Sequence, residues 1–200
     1  MSWLKPLRIQ LHQWLIPFGI DTRKLRNDRR ILEQTLFPFL QTSKLYQRIL
    51  FVGTAWYNLH YPRLFRHKDF WTLEIDPSLA PYGASQHIVG SCTEIDQHFP
   101  MNTLDCVILN GDFGFGLNNP NDMERTCQAI WKTLRPGGLL ILGYNTLPDS
   151  TPCPIEQIAA LLQFTPHVLP PLQSSHLQSD PKNQHWFLFL TKPNPNQPNT

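Results

Sequence analysis

Two hundred residues, 41% of them hydrophobic, suffice for one sizeable core and are too few for two comfortable domains. The apolar runs reach only five or six residues between charges, Pro or Gly, far short of the roughly 20 that a bilayer span requires, which excludes a spanning helix. Net charge is +2 but unevenly spread: residues 1–70 hold 12 Lys and Arg against 4 Asp and Glu, and the remainder 5 against 11.

The opening residues, Met1 to Arg8, lack a continuous apolar stretch and a small-residue cleavage site, so no secretory signal is expected and the cytoplasm is the expected compartment. From Trp3 to Leu15, Leu4, Leu7, Leu11, Trp14 and Leu15 recur every three or four positions with Lys5 and Arg8 between them, which predicts an amphipathic helix ending near Pro17 and Gly19. A second helix is expected after Asn27 or Asp28, either of which could cap it, with Ile31, Leu32, Leu36 and Phe39 on one side and Pro38 near its end. Residues 1–47 are thus a basic helical extension. Such a module could attract nucleic acid, phosphate or a membrane surface. Packing on the acidic body, or a lid over it, is the plainer reading; nucleic acid is disfavoured, and peripheral membrane contact through the first helix stays as the alternative.

At Ile49-Leu50-Phe51-Val52 the pattern changes to a continuous apolar run closed by Gly53, as in a strand buried on both faces. Three further runs follow, Phe70 to Ile75, Leu104 to Leu109 and Leu139 to Tyr144, with a short Ile88-Val89 between them. Their separations are too long for hairpins and suit right-handed strand-helix-strand crossovers, so the sheet is expected to be mostly parallel. Asp122 to Leu134 reads as the clearest intervening helix, with Met123, Cys127, Ile130, Trp131 and Leu134 on one stripe, and Arg135-Pro136-Gly137-Gly138 turns the chain into the next strand. A helix over Ile155 to Gln163 and a last strand over His185 to Leu190 complete a domain spanning 48–192; the Pro-rich tail 193–200 is expected to be disordered.

In this order the elements resemble a class I S-adenosylmethionine-dependent methyltransferase. Four places carry the likeness: Ile49 to Gly53, Leu73-Glu74-Ile75-Asp76-Pro77, Asp105 to Gly111, and Leu134 to Leu140. The stretch Asn110 to Asn118 resembles a bacterial methyltransferase-like group of unassigned substrate. The resemblance implies an α/β, doubly wound, mostly parallel seven-stranded Rossmann-like sheet that binds S-adenosylmethionine, and a small molecule or metabolite as methyl acceptor. It implies that Gly53, Thr54 and Ala55 wrap the methionine end of the cofactor, that Glu74, with Ile75 beside it, holds the ribose hydroxyls, and that Ser91 and Cys92 stand on the adenine side.

The residue types suit these roles on physical grounds. Open parallel sheets bind ligands beyond the carboxyl ends of their strands, where chain order reverses, and Gly53, Glu74 and Asn110 all follow strands. A carboxylate can accept from both ribose hydroxyls, and Glu74 lies 21 residues after Gly53, close to the span of one strand-helix-strand unit. Otherwise Glu74 is a charged strand end ahead of a turn capped by Asp76. Asp112 and His60 are the candidate bases, and Asn110 could position the acceptor or the cofactor. The Gly53 loop has one glycine where the family has several, and Ser91 or Thr93 stands where many relatives carry an acid; Asn58 could supply a positive φ instead. A non-catalytic, methyltransferase-like binding protein is therefore the alternative. No Gly-x-Gly-x-x-Gly follows any strand, against a nicotinamide oxidoreductase, and Asn110-Gly111-Asp112-Phe113 lacks both prolines of the Asn-Pro-Pro-aromatic motif. Cys92, Cys106, Cys127 and Cys153 form no Cys-x-x-Cys pair and have no His at ligand spacing, so they read as free thiols and no metal is expected.

Overall fold

The apolar runs pair with one another as parallel neighbours. In the computed structural model, which describes residues 10, 11, 14, 15, 26–147 and 152–194, β1 (Arg48–Val52), β2 (Asp69–Glu74), β3 (Gln86–Val89), β4 (Leu104–Asn110) and β5 (Leu134–Asn145) lie in the order β3-β2-β1-β4-β5, all parallel. Two short strands, β6 (Thr165–Pro166) and β7 (His176–Asp180), and the longer β8 (His185–Thr191) finish the sheet: β8 runs antiparallel to β5, and both short strands pair with β8. The sheet has eight strands rather than seven. The segment His176-Leu177-Gln178-Ser179-Asp180 contains a single apolar residue, so it has no strand periodicity of its own and owes its conformation to β8. Most of the first amphipathic helix, the residues just before Pro152 and most of the Pro-rich tail lie outside the described residues.

Because side chains alternate across a strand, each apolar run feeds two cores. Leu50, Val52, Val107, Leu109, Leu140 and Leu142 pack with Met123, Cys127 and Ile130 of the long helix on one face. Ile49, Phe51, Cys106, Ile108, Leu139 and Ile141 pack on the other face with Leu32, Leu36, Phe37 and Leu40 of the N-terminal extension.

That extension is one helical run: α1 (Asn27–Ile31), a π-turn (Leu32–Leu36) and α2 (Phe37–Thr42). Neither Asn27 nor Asp28 is the cap; Arg26 holds that position without a side-chain bond, and Asp28 is buried in the first turn. Pro38 does not end the helix. It has no N–H to close an α-type bond, and the wider π-turn immediately before it lets the chain continue to Thr42.

After β1 come a 3-10 turn (Trp56–Asn58) and the short α3 (Tyr61–Leu64), which carries Pro62 in its first turn, where a missing N–H costs nothing. A further short helix, α4 (Ile95–His98), precedes β4, and the main helix α5 (Pro120–Thr133) starts two residues before the expected Asp122 because Asn119 caps it, its Oδ1 accepting from the Asn121 amide at 2.9 Å. The residues expected as a helix over Ile155 to Gln163 form two 3-10 turns, Ile155–Gln157 and Ala159–Gln163, separated by the extended, buried Ile158.

The turn at Arg135 to Gly138 is a bulge within β5: pairing moves from Leu104 with Leu134 to Cys106 with Leu139, so five steps on β5 face two on β4. Gly137 at φ +74° makes it possible. The bulge aims Arg135 at the Asp105 carboxylate and at the Leu45 carbonyl (2.8 Å), while Asp105 also accepts from the amides of Gln47 and Arg48, both at 2.8 Å. Three parts of the sheet's lower end are thereby joined on one side chain.

Candidate functional site

Chain order reverses between β1 and β4, and an open sheet has its crevice there. Val52 pairs with both Leu73 and Leu109, so the residues that follow, Gly53, Glu74 and Asn110, leave the sheet side by side. Beyond them lies a cavity of about 260 Å³ whose wall comes from the ends of β1 (Gly53), β2 (Glu74, Ile75) and β3 (Gly90 to Thr93), the loop after β4 (Asp112, Phe115) and the first turn of α5 (Asp122).

The loop after β1 works with one glycine. Gly53 adopts φ +82°, and a Cβ there would come within 3.1 Å of Asp112 Oδ1, so both conformation and contact demand glycine. Asn58 does not take a positive φ. Its side chain instead ties the loop down: Nδ2 donates to the Gly53 carbonyl at 3.1 Å and Oδ1 accepts from the Ala55 amide at 2.8 Å. This cross-brace fixes the loop by side-chain bonding.

Glu74 is held by two backbone amides, Thr54 N to Oε2 at 2.9 Å and Asp76 N to Oε1 at 3.0 Å. Each carboxylate oxygen has a second lone pair, so the group keeps acceptor capacity for a ligand in the cavity it lines. Asp76 meanwhile caps the 3-10 turn Pro77–Tyr82, accepting from Ser78 N at 2.9 Å. The cavity-lining acid and the turn cap are thus two neighbouring residues.

The loop after β4 is pinned by the buried Phe113 and Leu117, which form a bridge, while Phe115 is 69% exposed at the cavity mouth opposite β2, whose following residue Ile75 is 67% exposed. Asp112 Oδ2 is buried with no hydrogen-bond partner. Burial, and then the negative charge of Glu74, push the Asp112 carboxyl up to about 7. On the β3 side the hydroxyls of Ser91 and Thr93 lie 2.7 Å apart, and burial pushes the Cys92 thiol up to about 11, so it is no nucleophile at neutral pH.

Of the residues singled out from sequence, Gly53, Glu74, Ile75, Ser91, Cys92 and Asp112 meet at this cavity. Four others stand apart from its lining. Thr54 is buried and Ala55 turns into the Asn58 brace. His60 lies beside Glu33, 3.6 Å from Nε2 to Oε2, under the N-terminal helix. Asn110 faces β5 and β8, where its Oδ1 meets His185 Nε2 at 3.1 Å and occupies the space that a Cβ on Gly143 would need. Phe115, from the stretch Asn110 to Asn118 singled out in the sequence, joins the wall, and so does Asp122, whose only trace in the sequence is that it lies in the first turn of a capped helix. Among the described residues no group of His, Cys, Asp or Glu is placed to hold a metal ion, and no helix is long and apolar enough to cross a membrane.

A sheet in this order with an antiparallel strand beside β5, an acid at the tip of β2 and a hollow at the reversal point define a class I methyltransferase fold. Comparison with known proteins agrees. No family model matches the chain. The structure resembles the N-methyltransferase NodS of Bradyrhizobium japonicum WM9 in complex with S-adenosyl-L-homocysteine, with a TM-score of 0.64 at 14% identity over 89% of this chain and 92% of that one. It also resembles a TehB-like SAM-dependent methyltransferase of Corynebacterium glutamicum, with a TM-score of 0.58 at 14% identity over 94% and 99%. In sequence, 73 residues (36% of the chain) are 37% identical to the ubiquinone/menaquinone biosynthesis C-methyltransferase UbiE of an Enterobacter species, and 48 residues (24%) are 42% identical to UbiE of Pasteurella multocida. These matches span 26% and 16% of the length of those relatives. The fold is thus that of the class I S-adenosylmethionine-dependent methyltransferases, and a stretch of the sequence is similar to one named member of that class.

Proposed function

We propose that the chain is an active methyltransferase that takes its methyl group from S-adenosylmethionine and delivers it to a small molecule. The observation that carries this reading is the convergence of Gly53, Glu74, Ser91 and Asp112 from four successive strand ends on one cavity. The residues suit a nucleoside: Glu74 has acceptor capacity on both oxygens for vicinal hydroxyls, Ile75 and Phe115 offer apolar faces to a planar ring, and Ser91 or Thr93 can accept from an exocyclic amine. When bound, the cofactor supplies an electrophilic methyl group on a sulfonium centre.

What the chain contributes is positioning and proton handling. Glu74, fixed by the Thr54 and Asp76 amides, orients the ligand without reorganising itself. Asp112, poised near neutrality beside Gly53, can take a proton from an acceptor at Oδ2. A small acceptor is favoured because, among the described residues, the cavity wall presents no Lys or Arg to a phosphate backbone, and because the relatives similar in sequence are named as C-methyltransferases of ubiquinone/menaquinone biosynthesis. Calorimetric titration with S-adenosylmethionine, followed by incubation of the labelled cofactor with a metabolite extract, tests the proposal. Binding with label passing into the small-molecule fraction supports it; no heat at millimolar cofactor refutes it.

A further inference from the structure

We propose that the carboxylates around this cavity select a cationic ligand over its neutral counterpart, holding the sulfonium donor and favouring release of the thioether product. The inference rests on the function proposed above and adds a specificity to that site. Three carboxylates, Glu74, Asp112 and Asp122, line the cavity from β2, the loop after β4 and the start of α5, and among the described residues no Lys or Arg lines it. Glu74 cannot turn away, because both of its oxygens are bonded to backbone amides. Asp112 is packed with Oδ1 against the α-carbon of Gly53, and its buried Oδ2 has no hydrogen-bond partner.

The groups acting on Asp112 from the neighbouring elements do not cancel this bias. Glu74 adds to the negative field, and the Cys92 thiol is neutral. Arg29 of α1, which donates to Tyr61 Oη at 2.9 Å, opposes it, as do backbone hydrogen bonds from Asn110 and Asp112, but each acts more weakly than burial and Glu74, and the Asp112 carboxyl stays raised. A buried carboxylate with one oxygen unpartnered is costly when ionised, so near neutrality Asp112 carries a proton for much of the time. A fixed positive charge arriving in the cavity favours the ionised form. Sulfonium binding therefore expels the proton, whereas the neutral thioether gives no such drive. During transfer the acceptor's lone pair forms the new bond to the methyl carbon, the old carbon–sulfur pair stays on sulfur, and the acceptor's proton passes to Asp112. Both charges vanish together, leaving a neutral thioether beside a neutral acid, with no ion pair to retain the product.

The test is calorimetric titration of the full chain with S-adenosylmethionine and with S-adenosylhomocysteine, near pH 6 and near pH 8, in phosphate and in Tris, whose different ionisation heats report protons released. Expected are a preference for the sulfonium of at least about tenfold near pH 8, a several-fold smaller preference near pH 6, and proton release with the sulfonium alone. Asp112→Asn should abolish the proton release and shrink the preference, and Asp112→Glu should keep both; the circular dichroism spectrum of each variant establishes that it is folded. Equal affinities at both pH values without proton release, in a chain that binds both ligands, overturn the selectivity and leave the functional reading standing. Binding of neither ligand overturns the functional reading itself.

Discussion

Replacing Glu74 with Ala probes the ligand site and its scaffold together, and the two effects can be separated. The side chain accepts two charge-assisted bonds from backbone amides, at 2.9 Å from Thr54 and 3.0 Å from Asp76. Bonds to charged groups contribute about 1.5–3 kcal/mol each, but the Asp76 amide lies at the exposed end of the turn and regains water, whereas the Thr54 amide is buried. The folding cost is therefore about 2–3 kcal/mol, a melting temperature lower by roughly 5–10 °C for a chain of this size. On top of this, losing both contacts to a ribose should weaken S-adenosylmethionine at least tenfold, or about 1.4 kcal/mol. Glu74→Gln separates the effects: it keeps one oxygen acceptor for an amide, so stability recovers in part, but it lacks the charge and half of the acceptor capacity, so affinity stays low. Thermal melts measure the first effect and calorimetry the second. A well-folded Glu74→Ala chain that binds the cofactor as tightly as the parent would show that the ligand lies elsewhere and that the acid serves only the turn.

Asp112→Asn should stabilise the protein at alkaline pH. The folded carboxyl is raised, so ionising it costs stability progressively as pH rises from 3.8 through about 7, and the amide removes that cost, up to about 4 kcal/mol, in denaturant titrations near pH 8 compared with pH 5. His185 titrates in the opposite sense. Burial pushes it down to about 4 from 6.5, so stability is fully present above pH 6.5 and falls by up to about 3 kcal/mol as pH drops towards 4; His185→Asn should flatten that limb. Asp105→Ala should cost about 3 kcal/mol in urea unfolding, because it leaves the Gln47 and Arg48 amides and the Arg135 guanidinium without their shared acceptor. Burial raises the Asp105 carboxyl, but the Arg48 amide and Arg135 outweigh it and hold it below the ordinary range, so its stabilisation is lost only below about pH 4. Gly143→Ala places a methyl 1.8 Å from Asn110 Oδ1 and should cost more than about 2 kcal/mol, whereas Gly116→Ala, whose nearest neighbour is 3.9 Å away, should leave the melting temperature unchanged.

Much of the candidate site was legible because strand ends are local signals. A run such as Ile49 to Val52 closed by Gly53 marks both a buried strand and the point where the chain leaves it, and in a parallel sheet all such points lie at one edge. That is why Gly53, Glu74, Ser91 and Asp112 could be picked out one by one and are found at a single cavity. Asn110 and His60 have the same local credentials and stand outside it, since orientation is decided by partners far along the chain: His185, 75 residues on, for Asn110, and Glu33 of the N-terminal helix for His60.

By itself the sequence determined the alternation of strands and helices, their mostly parallel arrangement and the sheet edge at which the cavity lies, because hydrophobic period and chain punctuation depend on neighbouring residues only. Tertiary structure alone decided the eighth strand, the π-turn that carries the helix past Pro38, the Asn58 brace across the Gly53 loop, and the mutual repulsion of Asp112 and Glu74 at the cavity. Each of these is a hydrogen bond or an electrostatic contact made at close range by particular geometry, and no periodicity in a one-dimensional chain records which distant groups will meet.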